Sequence, residues 1–294
     1  MFNTIDLWQE ARAEAEQALA LYEKHLGQEH PDTLKVRATL VRSLSRLAQF
    51  GDAEKHIAAL QRHSEKPGDQ AAAYLLADAQ GTLALIRGDF SVAVPNFERA
   101  IAASKMLEPS YTAQRDALTL NLISALTQIE RFDQAQTLAK TLIAECQARK
   151  DDNGLLIALA ETAVARSYSY QGKRAQAEAL LLKAQPVIVE QLGENHSRSI
   201  HLSGELMGVA FRVGDYAKSV QYAEQVYLRT RAKMGDTHAM SYVTLGNWGR
   251  NFSKCERTRA PTRSCARPMK ILQKARVAMR RKRKMRHSIW RSAN

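Results

Sequence analysis

Gly88-Asp89-Phe90, Glu130-Arg131-Phe132, Gly172-Lys173-Arg174 and Gly214-Asp215-Tyr216 are four copies of one turn, spaced 42 residues apart. Each stands between two Ala/Leu-rich runs of helical periodicity. A period in the range of 20–50 residues marks units that each bury their apolar face against the next, so it fixes the architecture before any single motif does. Gly51 reads as an earlier copy, 37 residues before Gly88. The prediction is an all-α, right-handed superhelical solenoid of antiparallel helix hairpins.

Outward from these turns, the first helix of each hairpin is predicted near 32–49, 70–87, 112–129, 154–171 and 197–213. Its partner follows near 53–66, 91–106, 133–148, 175–191 and 217–233. Small residues recur five positions after the turn (Ala93, Ala135, Ala177, Ser219), and Phe97, Ala139, Leu181 and Ala223 follow four later on the same helical face. That stripe is core packing. Pro186 should bend its helix near Leu182, because it removes an intrahelical hydrogen bond. Pro95 is harmless if it lies in the first turn.

A second signature closes the second helices: Leu26-Gly27-Gln28-Glu29-His30-Pro31, Leu192-Gly193-Glu194-Asn195-His196 and Met234-Gly235-Asp236-Thr237-His238. With the small-then-apolar stripe and the Gly-x-aromatic turn, it resembles the tetratricopeptide repeats of the long, kinesin-light-chain-like type found in bacterial proteins. Ser197 and Ala239 stand where that linker has proline. The rival is a HEAT or armadillo array, whose period also spans about 40–47 residues. The three histidines sit in different units, too far apart to share a metal, and are expected to cap or pack the linkers.

Composition divides the chain. Residues 254–294 hold 15 Lys/Arg against Glu256 alone, leaving 28 basic and 29 acidic groups in residues 1–253. A repeat array over 1–253, of about five hairpins with partial units at both ends, therefore precedes a basic tail over 254–294. At the start, the run from Trp8 to Leu26 reads as a second helix without its first. The expectation is the C-terminal part of a longer protein, or a start assigned at an internal Met. At the other end a sixth unit begins at Thr237 and continues through Leu245, Trp248 and Phe252. Its pattern fails at Glu256 and Pro261, as it would in a disordered tail or after a frame error. Within the tail, Arg280, Arg281, Lys282, Arg283, Lys284 and Arg286 could neutralise phosphates and bind nucleic acid without sequence preference.

Catalytic signatures are missing. Gly172-Lys173 lacks the upstream glycine of a phosphate loop, and the sequence holds neither His-Glu-x-x-His nor Gly-x-Ser-x-Gly. Cys146, Cys255 and Cys265 form no Cys-x-x-Cys pair and support neither a disulfide framework nor a zinc site. Neither enzyme activity nor a cofactor or metal is expected. With no apolar run of about 18 residues and no signal peptide, a cytoplasmic protein is expected.

The resemblance implies a concave face, lined by the first helices, that receives a protein or peptide partner. Its register there gives Asp78, Thr82, Asn121, Ser124, Gln128, Arg166, Tyr170 and Arg212, with Arg166 and Arg212 able to fork onto a carboxylate. It further implies an interaction scaffold serving as the docking or sensory part of a larger bacterial regulator.

Overall fold

Twelve helices are described, and no strand, in a computed structural model that covers residues 4–64, 68–107, 111–149, 153–236 and 239–257. They are α1 (Thr4–Leu26), α2 (Pro31–Arg46), α3 (Phe50–Ser64), α4 (Gln70–Arg87), α5 (Phe90–Lys105), α6 (Thr112–Gln128), α7 (Phe132–Ala148), α8 (Gly154–Tyr170), α9 (Arg174–Leu192), α10 (Ser197–Val213), α11 (Tyr216–Met234) and α12 (Ala239–Arg257). The chain forms two compact units, Met1–Gln171 and Gly172–Asn294. In the first unit each helix packs on its successor, and the first helices also pack on one another, α2 on α4, α4 on α6 and α6 on α8. In the second, α9, α10, α11 and α12 pack in succession. Each unit is an all-α hairpin solenoid.

The turns stop their helices by one device. Ala48, Gly88, Glu130, Gly172 and Gly214 all have left-handed φ, between 57° and 91°. Two residues after each of them the following helix begins. In three turns the amide after the left-handed residue donates back at 2.9 Å, Gln49 to Leu44, Asp89 to Ala84 and Arg131 to Leu126. Here the reading of Gly51 is corrected. That glycine lies inside α3, and the turn residue is Ala48, 40 positions before Gly88. Matching by residue type picked the wrong position because alanine occupies a conformation that usually selects glycine.

Once Ala48 sets the register, the small-residue stripe is complete. Ala53, Ala93, Ala135, Ala177 and Ser219 lie five residues after the turn, none more than 1% exposed. Four later stand Ile57, Phe97, Ala139, Leu181 and Ala223, also buried. Side-chain size is balanced across each hairpin within the units. Phe97 faces Gly81, where an added Cβ would come within 2.8 Å of the ring. At the same registers Ala139 is matched with Ile123, and Ala223 with Met207. The large partner stands on one helix or the other, which keeps the packing dense.

Two prolines lie inside helices. Pro186 is within α9, which continues through it to Leu192. Pro95 is the sixth residue of α5. That position is past the first turn, so it removes a bond the Ser91 carbonyl would otherwise accept. Both prolines are exposed.

The sixth unit does begin. In α12, Leu245, Trp248, Phe252 and Cys255 join Val220, Ala223 and Tyr227 in one core, with the Tyr227 and Trp248 rings stacked at 5.4 Å. The helix runs four residues past position 253, to Arg257.

Candidate functional site

The left-handed turn residue gives every first helix a common ruler. Six positions before it stand Arg42, Thr82, Ser124 and Arg166 in the first unit, then Gly208 in the second. Continuing the period adds Arg250. Two positions before it stand Arg46, Ile86, Gln128 and Tyr170, then Arg212 and Lys254. Six of these twelve residues are cationic and none is acidic, although residues 1–253 as a whole hold 28 basic and 29 acidic groups.

In the first unit, polar groups on this face engage one another. Arg42 Nη2 donates to Asp78 Oδ2 at 3.0 Å, and Thr82 Oγ1 donates to Asp78 Oδ1 at 3.1 Å. Asp78 and Thr82 are buried, while the side chain of Arg42 stays half exposed. The Asp78 carboxylate therefore ties α4 to α2 and fixes a guanidinium at the surface. Arg166 Nη1 reaches Ser124 Oγ at 3.4 Å, one period back. Asn121 is half-buried and Gln128 exposed on α6. Tyr170 is 57% exposed, its ring stacked on Phe132 at 6.3 Å. Arg46 lies over the Trp8 ring at 5.6 Å. Burial, then the neighbouring Arg42 charge, pushes the Arg46 guanidinium pKa down.

Arg212 belongs to the second unit and lies in different surroundings. Between α10 and α12 a cavity of about 290 Å³ is lined by Met207, Gly208, Phe211, Arg212, Asn247, Arg250 and Asn251. Gly208 stands at the register of Arg42, Thr82, Ser124 and Arg166, and the Arg212 guanidinium lies over it, 3.4 Å from where a Cβ would stand. Gly204 and Gly246 face open space, with nothing within 4 Å of an added Cβ. Asn251 is held from below, accepting from Ser219 Oγ at 2.8 Å and donating to the Asn247 carbonyl at 2.8 Å. The Arg250 guanidinium donates to the Asn247 side-chain carbonyl. The cavity thus offers two guanidiniums, two amides and an apolar wall of Met207 and Phe211. Forked guanidiniums and amides suit a carboxylate and a peptide backbone. Asn247 and Arg250 did not emerge from the sequence, although the same ruler carried 42 residues past Gly208 finds Arg250.

Other polar clusters are structural. Arg149 Nη2 donates to the buried Asp116 at 2.7 Å and lies 3.0 Å from Cys146 Sγ, joining the end of α7 to α6. Burial raises the Cys146 thiol pKa despite that guanidinium. Among the described residues, no group of three His, Cys, Asp or Glu side chains could hold a metal ion. No helix among them is long and apolar enough to cross a membrane.

The linkers repeat as the sequence indicated. His30 Nδ1 accepts from the Asp32 amide, and His196 Nδ1 from the Arg198 amide, both at 3.2 Å, capping α2 and α10. A hydroxyl three residues later ties back to the linker glycine. Thr33 donates to Gly27 O at 2.8 Å, and Ser199 to Gly193 O and Ser241 to Gly235 O at 2.7 Å. That hydroxyl was not foreseen, although its recurrence six residues after each glycine is visible in the chain. His238 lies outside the described residues, as do Arg280, Arg281, Lys282, Arg283, Lys284 and Arg286 of the predicted nucleic-acid tail.

Comparison with known proteins agrees with this architecture. The tetratricopeptide repeat family matches over residues 6–32. BtubC (BKLC) from P. vanneervenii has the same fold at 17% identity, with a TM-score of 0.57 over 79% of this chain and 93% of that one. A Podosopora anserina protein named for kinesin light chain, with nearly identical TPR-like repeats, is 22% identical, at a TM-score of 0.48 over 69% and 97%. NprR in complex with its cognate peptide NprX is 12% identical, at a TM-score of 0.34 over 94% and 97%. Those two scores are too low to bear on function. No curated protein matches the chain in sequence.

Proposed function

Since the chain is built of tetratricopeptide-like repeats of the long, kinesin-light-chain-like type, we propose that it is an interaction scaffold whose second unit captures an acidic peptide segment. The carrying observation is the cavity between α10 and α12, lined by Arg212, Arg250 and Asn247, with the Arg212 guanidinium lying against Gly208. Charge supports the reading, because the first-helix face presents cations without a single acid at its two outward registers. Such a face raises the local concentration of anionic partners and sets their on-rate. In the first unit the same registers carry Arg42, Arg46 and Arg166. As a docking part of a larger regulator, the scaffold would hold a client or a neighbouring domain by such a segment.

The test uses a labelled oligoglutamate peptide, with a glycine-serine peptide of equal length as control, followed by fluorescence anisotropy. The full chain should bind the acidic peptide in a salt-sensitive manner. Arg212→Glu with Arg250→Glu should weaken binding at least tenfold while the far-ultraviolet helical signal stays unchanged. A chain ending at residue 257 should bind as the full chain does. Loss of binding in that shortened chain would move the anion site to the basic tail. Equal affinity for the two peptides would dismiss the acidic-segment reading.

A further inference from the structure

The linker between α9 and α10 contains a titratable group in a position that works in only one protonation state. His196 Nδ1 accepts the Arg198 amide hydrogen, so that nitrogen must carry no proton. It lies at a helix N-terminus, where amide groups and the helix dipole disfavour a cation. An imidazolium would present N–H to N–H, and the first turn of α10 would lose its side-chain cap.

The charges facing the ring add to this. Lys233 from α11 and Arg198 from α10 both oppose a positive imidazole. Glu194, the linker acid, is engaged by Arg229 of α11 at 3.0 Å. The equivalent linker before α2 is built differently. His30 caps in the same way, but the Asp32 carboxylate stands 3.8 Å from its Nδ1, and Glu29 stands 3.6 Å from His63 of α3.

We propose that the α9–α10 linker is an acid-sensitive junction, in which protonation of His196 uncaps α10. The sign follows from the surroundings. Burial first, then Lys233 and Arg198, holds the His196 pKa below its ordinary value of 6.5. The unfolded chain therefore takes up the proton more readily than the folded one. The cap's contribution is complete above the ordinary imidazole range and is lost as pH falls through the lowered folded value. Because α10 also carries Gly208 and Arg212, uncapping acts on a helix that walls the cavity. The inference itself rests on the linker alone and stands whether or not an acidic peptide binds there.

The experiment is amide hydrogen exchange by NMR on the full chain, expressed as protection factors to remove the intrinsic pH dependence of exchange. From pH 7.5 to pH 5, protection at Arg198, Ser199 and Ile200 should fall about fivefold, the size expected for loss of an ordinary cap. His196→Asn keeps an acceptor that does not titrate, and should hold the α10 protection level across that range. Arg198→Glu should move the midpoint of the fall upward. If His196→Asn perturbs folding, His196→Ser supplies the same non-titrating cap. An equal fall in the asparagine and serine variants would overturn the proposal.

Discussion

The two units share one repeat, yet the glycines on their first helices meet opposite surroundings. In the first, glycine at 81 is no vacancy, because the Phe97 ring fills the space in front of it. The outward polar positions are likewise occupied, by the chain from Arg42 through Asp78 to Thr82 and by Arg166 on Ser124. In the second, Gly204 and Gly246 face open space, Gly208 meets only the end of the Arg212 side chain, and a cavity lies beside it. A repeat period therefore fixes where a side chain stands but not whether the site is closed. Closure is decided by the residue one helix away, and glycine counts as a hole only when its partner is small or distant.

The hardest way to break this comparison is to empty the first unit. Phe97→Ala removes a fully buried ring. It should destabilise the chain by about 3–5 kcal/mol, the usual range for losing such a side chain from a packed core. Urea unfolding would measure it. A loss below about 1 kcal/mol would mean that Gly81 and Phe97 do not interlock as described.

The two glycine sites then sharpen the contrast directly. Gly81→Ala puts a methyl group 2.8 Å from two ring carbons and should cost about 1–3 kcal/mol through overpacking. Adding Phe97→Leu should recover part of that cost, a coupling that a double-mutant cycle isolates. Gly204→Ala and Gly246→Ala meet nothing within 4 Å and should each stabilise the second unit by about 0.5–1 kcal/mol, since glycine is the weaker helix former. Equal effects at Gly81 and Gly204 would erase the distinction between the units.

Asp78 tests whether the first unit is polar-closed as well as sterically closed. Asp78→Ala removes the acceptor of both Arg42 and Thr82. It should cost about 1–2 kcal/mol, because the buried Thr82 hydroxyl loses its partner while Arg42 can still reach water. The same variant should strengthen oligoglutamate binding modestly, as Arg42 loses its internal counter-ion. Unchanged stability would show that the pair is only a surface contact.

The period, the hairpins and the buried stripe were legible in the chain, because apolar spacing and left-handed turns are local and recur. The linker histidines were legible for the same reason, and two of them cap as expected. Asp78 and Thr82 could be placed on the first-helix face by register. Their burial could not be read, since it depends on Arg42, 36 positions away on a neighbouring helix. The cavity was half legible. Arg212 lay in the assigned register, but Asn247 and Arg250 lie on the sixth unit, to which that register was not carried, and glycine at 208 carried no signal of its own.

The smallest effect concerns the turn that residue identity concealed. Ala48 holds φ at 57°, a left-handed conformation that an L side chain reaches at a cost of roughly 1 kcal/mol. Ala48→Gly relieves that strain but gives the unfolded chain more freedom, which returns part of the gain. The balance should be a stabilisation of a few tenths to about 0.7 kcal/mol. Gly88→Ala runs the same exchange in reverse at φ 89° and should cost about 1 kcal/mol. Because each change is close to the resolution of one denaturation curve, the opposite signs of the pair are the decisive reading. If Ala48→Gly destabilised as much as Gly88→Ala does, the two turns would not be equivalent, and the ruler that aligns Arg42 with Gly208 would lose its first mark.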